Sequence, residues 1–198
     1  MSREPYTDGE GYILYPITDI DKENYVELQI QLEGENSLFY NPISREKLWN
    51  EMINDENNKY YSIFDDNGNY CGCIELQNCI SETPEIGLNL VESKRNQGIA
   101  ANVVKLLVQK VCKEQDIDYF LIKILSNNSH SKHVFEKIGA VPIGEEDRNY
   151  TLFLKVLGNS LDEDSLKRIY DTAKTYMDGD ENEFVYRYKL LPEAFLLK

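Results

Sequence analysis

"ESKRNQGIAANVVKLL", residues 92–107, decides how the rest of the chain is read. Lys94 and Arg95 stand side by side in a chain of formal net charge −14. Gly98 and the small Ala100 and Ala101 follow, and then Val103, Leu106, Leu107 and Val111 step at helical spacing. A strand that passes through a glycine turn into a helix presents free backbone N–H groups at the helix start. The positive end of the helix dipole lies there too. A glycine lets the backbone come close to a ligand, and an arginine or lysine beside it adds a charge-assisted contact. The pattern therefore reads as an anion-binding turn suited to phosphate or pyrophosphate. A helix that begins with glycine and two solvated bases accounts for the same residues equally well. Two named phosphate binders are excluded, because neither Gly-x-x-x-x-Gly-Lys-Ser/Thr nor Gly-x-Gly-x-x-Gly occurs.

The 198 residues suit one domain of moderate size, and a 41% hydrophobic content is enough for a core. The acidic balance argues against nucleic acid and against anionic membranes, which it would repel, and it suits a cationic substrate. The same acidity also serves solubility alone. No apolar run approaches the roughly 20 residues that span a bilayer. The start, "MSREPYTDGEGY", has no signal-peptide core, so the expected location is the cytoplasm. The four cysteines then read as reduced thiols, with Cys71 and Cys73 on the same face of a strand. No second Cys or His pair has ligand spacing, so no metal is expected. His130 and His133 read as surface or helix-packing residues.

Along the chain, Gly11–Thr18 alternates as a strand. A helix follows, with Asp19 or Asp21 as its N-cap and Gly34 as its stop. Ser44–Glu56 reads as a second helix opened at Ser44, with Trp49, Met52 and Ile53 on its apolar face. "KYYSIFD" and "YCGCIEL" flank Asn67-Gly68, a hairpin signal. "PEIGLNLVE" is a strand that leads into the opening stretch, and "DYFLIKIL" is an interior strand. "NSHSKHVFEKIG" is a short helix ended by Gly139. "AVPIGEE" and "EFVYRYKLL" read as strands, "NYTLFLKVL" as a strand or the lead into a helix, and Ser160–Met177 as a helix capped by Ser160.

In this context Arg95-Asn96-Gln97-Gly98-Ile99-Ala100 resembles the Gln/Arg-x-x-Gly-x-Gly/Ala signature of the GCN5-related N-acetyltransferase (GNAT) superfamily. "PEIGLNLVESKRNQGIA" looks like the family's fourth strand, with an acid ten residues ahead of the arginine. "NNSHSKHVFEKIGA" resembles the second motif, Asn-x-x-Ser followed by an aromatic or aliphatic residue and Glu-Lys-x-Gly. The likeness covers roughly residues 12–146, and it looks closest to the ribosomal-protein N-terminal acetyltransferase branch. It implies one α/β domain over residues 1–198, a mixed, mostly antiparallel twisted sheet of about seven strands flanked by helices. Residues 158–180 would be a helical insertion that covers the acceptor cleft or makes a homodimer contact.

The resemblance also implies a chemistry. The anion would be the pyrophosphate of acetyl-CoA, held by the amides of Gln97, Gly98, Ile99 and Ala100 and by Arg95, with Asn96 in the same turn. Backbone groups of Asn89, Leu90 and Val91 would bind the pantetheine arm and polarise the thioester carbonyl. Asn128 matches a position that contacts the cofactor. The reaction would be direct attack by a primary amine, from a small molecule or a protein N-terminus, in a ternary complex. Glu85 stands where the family often carries its base, with Glu75 as rival; Glu85 reads equally as a carboxylate at the sheet margin. The family's usual proton-donating tyrosine is Phe135 here. Ser131, one turn earlier, is the alternative donor, or simply a helix-capping residue. The missing tyrosine keeps a second reading open, a non-catalytic acyl-CoA-binding or sensing module.

Overall fold

The computed structural model describes residues 3–9, 11–147, 162–174 and 184–196. Seven strands form one mixed sheet: β1 (Tyr12–Pro16), β2 (Lys59–Asp65), β3 (Tyr70–Gln77), β4 (Glu85–Leu90), β5 (Phe120–Leu125), β6 (Val141–Asp147) and β7 (Phe184–Leu190). Their order is β1-β2-β3-β4-β5-β7-β6. β1 to β4 pair antiparallel with one another, β5 is parallel to β4, and β6 and β7 are antiparallel. This is the expected fold class. By compactness the chain divides into two units, residues 1–122 with 190–198, and residues 123–189.

In the first unit the pleat sends alternate residues to opposite faces. Leu14, Ile63, Ile74, Leu76 and Ile86 share one face through the strand registers, and all are buried. Helix α3 (Ile99–Glu114) covers it with Val103, Val104, Leu107 and Val111, and its Lys110 lies over the Tyr61 ring. Tyr60, the next residue, points to the other face, where helix α1 (Lys22–Glu33) packs on β3. Helix α2 (Pro42–Ile53) adds Trp49, whose ring lies 5.8 Å from that of Tyr25 and whose Nε1–H donates to Asp19 Oδ1 at 3.0 Å.

The expected start of α2 at Ser44 is corrected. Asn41 is the cap: its Oδ1 accepts from the N–H of Ile43 (2.9 Å) and of Ser44 (3.1 Å), and Pro42 occupies the first turn. Proline is favourable there because its missing N–H would have had no intrahelical partner. The stop at Gly34 holds, with φ of 68°.

In the second unit, helix α4 (Ser129–Lys137) ends as expected at Gly139. The Gly139 N–H donates to Glu136 O and the Ala140 N–H to Phe135 O, with Gly139 at φ 99°. Helix α5 (Glu163–Lys174) lies inside the expected Ser160–Met177 helix. Asp162 accepts the Ser165 N–H at 2.9 Å, while Ser160 and "NYTLFLKVL" lie outside the described residues. Tyr170 donates to Asp147 (2.9 Å), and Tyr188 donates to Glu136 (3.1 Å). A last helical turn, α6 (Glu193–Leu196), belongs to the first unit.

Gly72 marks the tightest backbone approach in the sheet. A Cβ there would collide with the Asn89 carbonyl oxygen and lie 2.9 Å from Leu90 Cα, and its φ is +150°. Gly87 faces only the Glu75 side chain, which can swing aside. Gly72→Ala is therefore expected to cost about 3 kcal/mol in urea unfolding, and Gly87→Ala clearly less.

Candidate active site

β4 pairs with β3 at every residue from Glu85 to Leu90. On its other side it registers once, Glu85 with Leu121. Alternate residues of a strand send their backbone polar groups to opposite sides. The Val91 N–H donates to Cys71 O at 3.0 Å, so Val91 and Asn89 turn toward β3. Leu88 and Leu90 turn toward the β5 side, beyond the single pairing. Of the three residues expected to offer backbone groups, Leu90 presents its N–H on the open side. The Val91 N–H is engaged by β3, and its carbonyl accepts the Lys94 N–H.

The turn after β4 is shaped by two left-handed residues. Gly98 has φ 76°, and Asn96 has φ 61°. Asparagine is among the side chains that tolerate this region. Gly98 stands at the N-cap of α3 and has no side chain to accept from the first-turn amides. A Cβ on it would meet no protein atom within 4 Å. The turn's own backbone bonds are Lys94 N–H to Val91 O and Arg95 N–H to Glu92 O. Beyond them the amides of Asn96, Gln97 and Gly98 donate no backbone hydrogen bond among the described residues. Ile99 is buried and anchors the helix, while residues 95–98 are exposed. The amides of residues 97–100 thus gather at the positive end of a 16-residue helix.

The basic pair divides its work. Arg95 Nε donates to Leu90 O at 3.1 Å, which keeps the guanidinium beside the open edge of β4. Lys94 Nζ donates to Asp65 Oδ2 at 2.9 Å and is committed to the β2–β3 hairpin. Lys94 and then Asn69 hold the Asp65 carboxyl well below the ordinary carboxylate range. Its folded pKa therefore lies below its unfolded value. What the ionised group adds to stability is present above the ordinary range and lost only as pH falls through the depressed value.

Glu85, Gly87 and Asn89 share one face of β4 with their cross-strand partners Gln77, Glu75 and Cys73. Gln77 Nε2 donates to Glu75 Oε1 at 3.1 Å, and the Glu75 carboxylate lies over Gly87. Glu85 is half-buried at the start of the strand. Three tyrosines join this face without any signal in the sequence. Burial first, then Cys73 and Glu75, hold the Tyr25 phenol far above its ordinary pKa; burial and Glu75 do the same to Tyr60. Tyr70 is raised chiefly by burial, and its hydroxyl is buried with no hydrogen-bond partner among the described residues. All three are neutral hydroxyls at working pH. Burial also raises the Cys73 thiol, so it offers no thiolate nucleophile. Beside Tyr60 lies a cavity of about 230 Å³, lined by Pro16, Ile17, Met52, Ile53 and Asp55 among others. Only the fold, by bringing α1 and β2 onto β3, could show this grouping.

The second motif lies in the second unit. Asn128 Oδ1 accepts the Ser131 N–H at 3.0 Å, so Asn128 caps α4 and the Ser131 hydroxyl is not the capping group. Ser131 is half-buried, Phe135 is buried, and His130 and His133 are exposed. The four cysteines are free thiols. Among the described residues no group of three or more His, Cys, Asp or Glu could hold a metal ion, and no helix is long and apolar enough to cross a membrane.

Residues 12–141 match the family model described as an acetyltransferase (GNAT) domain. The spermidine N-acetyltransferase from Vibrio cholerae in complex with CoA and spermine is 15% identical, with a TM-score of 0.67 over 95% of this chain and 99% of that one. A chimera of the Vibrio cholerae spermidine N-acetyltransferase SpeG and hSSAT is 16% identical, with a TM-score of 0.69 over 96% and 100%. A dodecameric structure of the Vibrio cholerae enzyme in an intermediate state is 15% identical, with a TM-score of 0.66 over 95% and 98%. At these identities the likeness shows the fold. Among curated proteins none matches the chain by sequence.

Because Gly98 is left-handed with open space over its Cα, Gly98→Ala is expected to cost about 1 kcal/mol from backbone strain alone. Asn96→Gly should leave the thermal midpoint unchanged or slightly raised. Thermal unfolding of the two variants beside the parent measures both.

Proposed function

The chain belongs to the GNAT acetyltransferase family, and from that premise we propose that it moves the acetyl group of acetyl-CoA to a primary amine of a small cationic molecule. The reading takes residues 1–198 as one acetyltransferase domain. The observation that carries it is the join of β4 to α3: a strand with one unpaired edge runs into a left-handed turn and an uncapped helix N-terminus. That join offers backbone donors in a row, which suits a long ligand with an amide-bearing arm and a pyrophosphate.

In this reading the amides of Gln97, Gly98, Ile99 and Ala100 hold the pyrophosphate, with Asn96 shaping the turn and Arg95 adding charge. The N–H groups on the open edge of β4, at Leu88 and Leu90, bind the arm and stabilise charge developing on the carbonyl oxygen. Acetyl-CoA supplies the activated acyl group. An alkylamine of pKa near 10 arrives mostly protonated. Glu85 removes that proton, directly or through water, so the nitrogen can attack. Ser131 donates toward the leaving sulfur, and Asn128 orders its helix. A thiolate of pKa near 8.5 leaves tolerably even without help.

The acceptor side rests on Glu75, Tyr25, Tyr60 and the cavity beside them. A carboxylate among neutral phenols suits an ammonium group, and the cavity beside Tyr60 joins Pro16, Ile17, Met52 and Ile53 with Asp55, Asn58 and Lys59 on its wall. The net charge of −14 favours the same class of ligand. The named activity of the similar structures, acetylation of spermidine, is of that class. The sequence likeness to the ribosomal-protein branch favours a protein N-terminus as a second acceptor. No metal, nucleic acid or membrane enters the reading. Homodimerisation and a cytoplasmic location remain part of it.

Steady-state turnover of acetyl-CoA with spermidine, spermine, a monoamine and a basic N-terminal peptide tests the proposal. Binding of CoA without turnover on any amine would instead support the sensing module. Glu85→Gln is expected to lower turnover at neutral pH roughly a hundredfold with little change in acetyl-CoA affinity. Full turnover in Glu85→Gln and loss in Glu75→Gln would move the base to Glu75. Ser131→Ala should lower the single-turnover rate, and a full-rate variant dismisses its role.

A further inference from the structure

We propose that the Asp65–Lys94 ion pair is a positioning device that fixes the phosphate-binding turn against the β2–β3 hairpin, and that CoA affinity depends on it. The inference rests on the assignment of residues 95–100 to the cofactor's pyrophosphate.

The turn has little packed beneath it. A cavity of about 390 Å³ lies there, and Asp65, Cys71, Lys94, Gln97, Ile99 and Asn102 share its wall. Buried Ile99 seats the start of α3, while the exposed residues 95–98 ahead of it pack no side chain into the core. Hydrogen bonds within the turn do not set its height above the sheet. Gln97 Nε2 donates to Ser93 O at 2.7 Å. Arg95 Nε to Leu90 O ties the segment back to β4, and Lys94 Nζ to Asp65 Oδ2 is the side-chain hydrogen bond among the described residues that ties it to the β2–β3 hairpin.

Its far end is fixed. Asp65 Oδ1 accepts the N–H of Asn67 (3.1 Å), the N–H of Asn69 (2.8 Å) and Asn69 Nδ2 (3.0 Å). The Asp65 N–H donates to Asn69 O at 3.0 Å. Oδ2, which meets Lys94, also accepts Asn69 Nδ2 at 3.0 Å, so one carboxylate closes the hairpin and holds the turn at once. Both side chains are partly covered, with exposures of 23% for Lys94 and 13% for Asp65, so the pair is less screened than two solvated ends. Lys94 is directed at the hairpin, and its charge is spent there. It acts on the phosphate through the position of the Gln97–Ala100 amides, as a positioning residue.

This separates two roles for Lys94. If Lys94 were itself a phosphate ligand restrained by Asp65, removing the carboxylate would free it and tighten CoA binding. If the pair positions the turn, the same change weakens binding. Asp65→Asn is the informative variant, because an amide oxygen still accepts the Asn67 and Asn69 N–H groups and so keeps the hairpin closed. Isothermal titration with CoA should show affinity falling about fivefold in Asp65→Asn. Lys94→Ala should lose about as much, the double variant no more than either, and Lys94→Arg should hold the parent value. In ligand-free protein, amide hydrogen exchange at residues 92–98 should speed up in Asp65→Asn while β1 stays unchanged and the thermal midpoint falls slightly, by the stability the ionised carboxylate adds. Unchanged or tighter CoA binding by Asp65→Asn, or unaltered exchange in the turn, overturns the proposal. Absence of CoA binding by the parent protein instead overturns the cofactor assignment, and the exchange experiment, which needs no ligand, tells the two failures apart.

Discussion

The one-sided pairing of β4 is the constraint on which the site depends. β4 is paired in register with β3 at all six of its residues and registers with β5 only at Glu85. Backbone polar groups left without partners are costly when buried, so such an edge is kept only where solvent or a ligand can reach it. Gly72 makes the arrangement firm. It lets β3 come so close to Asn89 and Leu90 that no side chain fits between them. The strand is thus pressed onto one neighbour and released from the other. The Leu88 and Leu90 groups follow from that parity, and so does the direction in which the chain enters the turn at Val91.

Charge is arranged around the same strand with little use of net charge. The chain has a net charge of −14, yet the turn at residues 95–100 is locally positive because of backbone dipoles and one arginine. Lys94 contributes less to that potential than its place in the sequence implies, since Asp65 neutralises it. On the β4 face that carries Glu85, carboxylates stand among phenols that burial keeps neutral. One end of β4 is therefore suited to an anion and the face beside it to a cation. A transferase that joins an anionic donor to a cationic acceptor needs that separation, because each partner would otherwise compete for the other's site.

Much of this was legible along the chain, and the reasons differ by residue. The hairpin at Asn67-Gly68, the stops at Gly34 and Gly139 and the helix from Ile99 are local matters of φ and periodicity, and the structure has all of them. Ser44 mimics a cap, but Asn41 before Pro42 is the stronger signal in physical terms and sets the start of α2. Val91 shows a different gap. A strand's sequence does not say which neighbour its N–H groups face, and the bond to Cys71 O takes this one away from the open edge. Asn128 also caps α4, a role that only the geometry shows.

The sequence by itself pointed to the family, to the glycine turn ahead of α3 and to the order of the described elements. Each depends on neighbours within a few residues, where covalent geometry leaves few choices. Tertiary structure decided what the two bases do and which acids and phenols share a surface. Lys94 meets Asp65 across 29 residues, and Tyr25 meets Glu75 across an intervening helix and strand. Such pairs arise when a sheet register and a helix docking bring distant residues together. Register is set by the summed burial of whole strands, so no short stretch of sequence carries it.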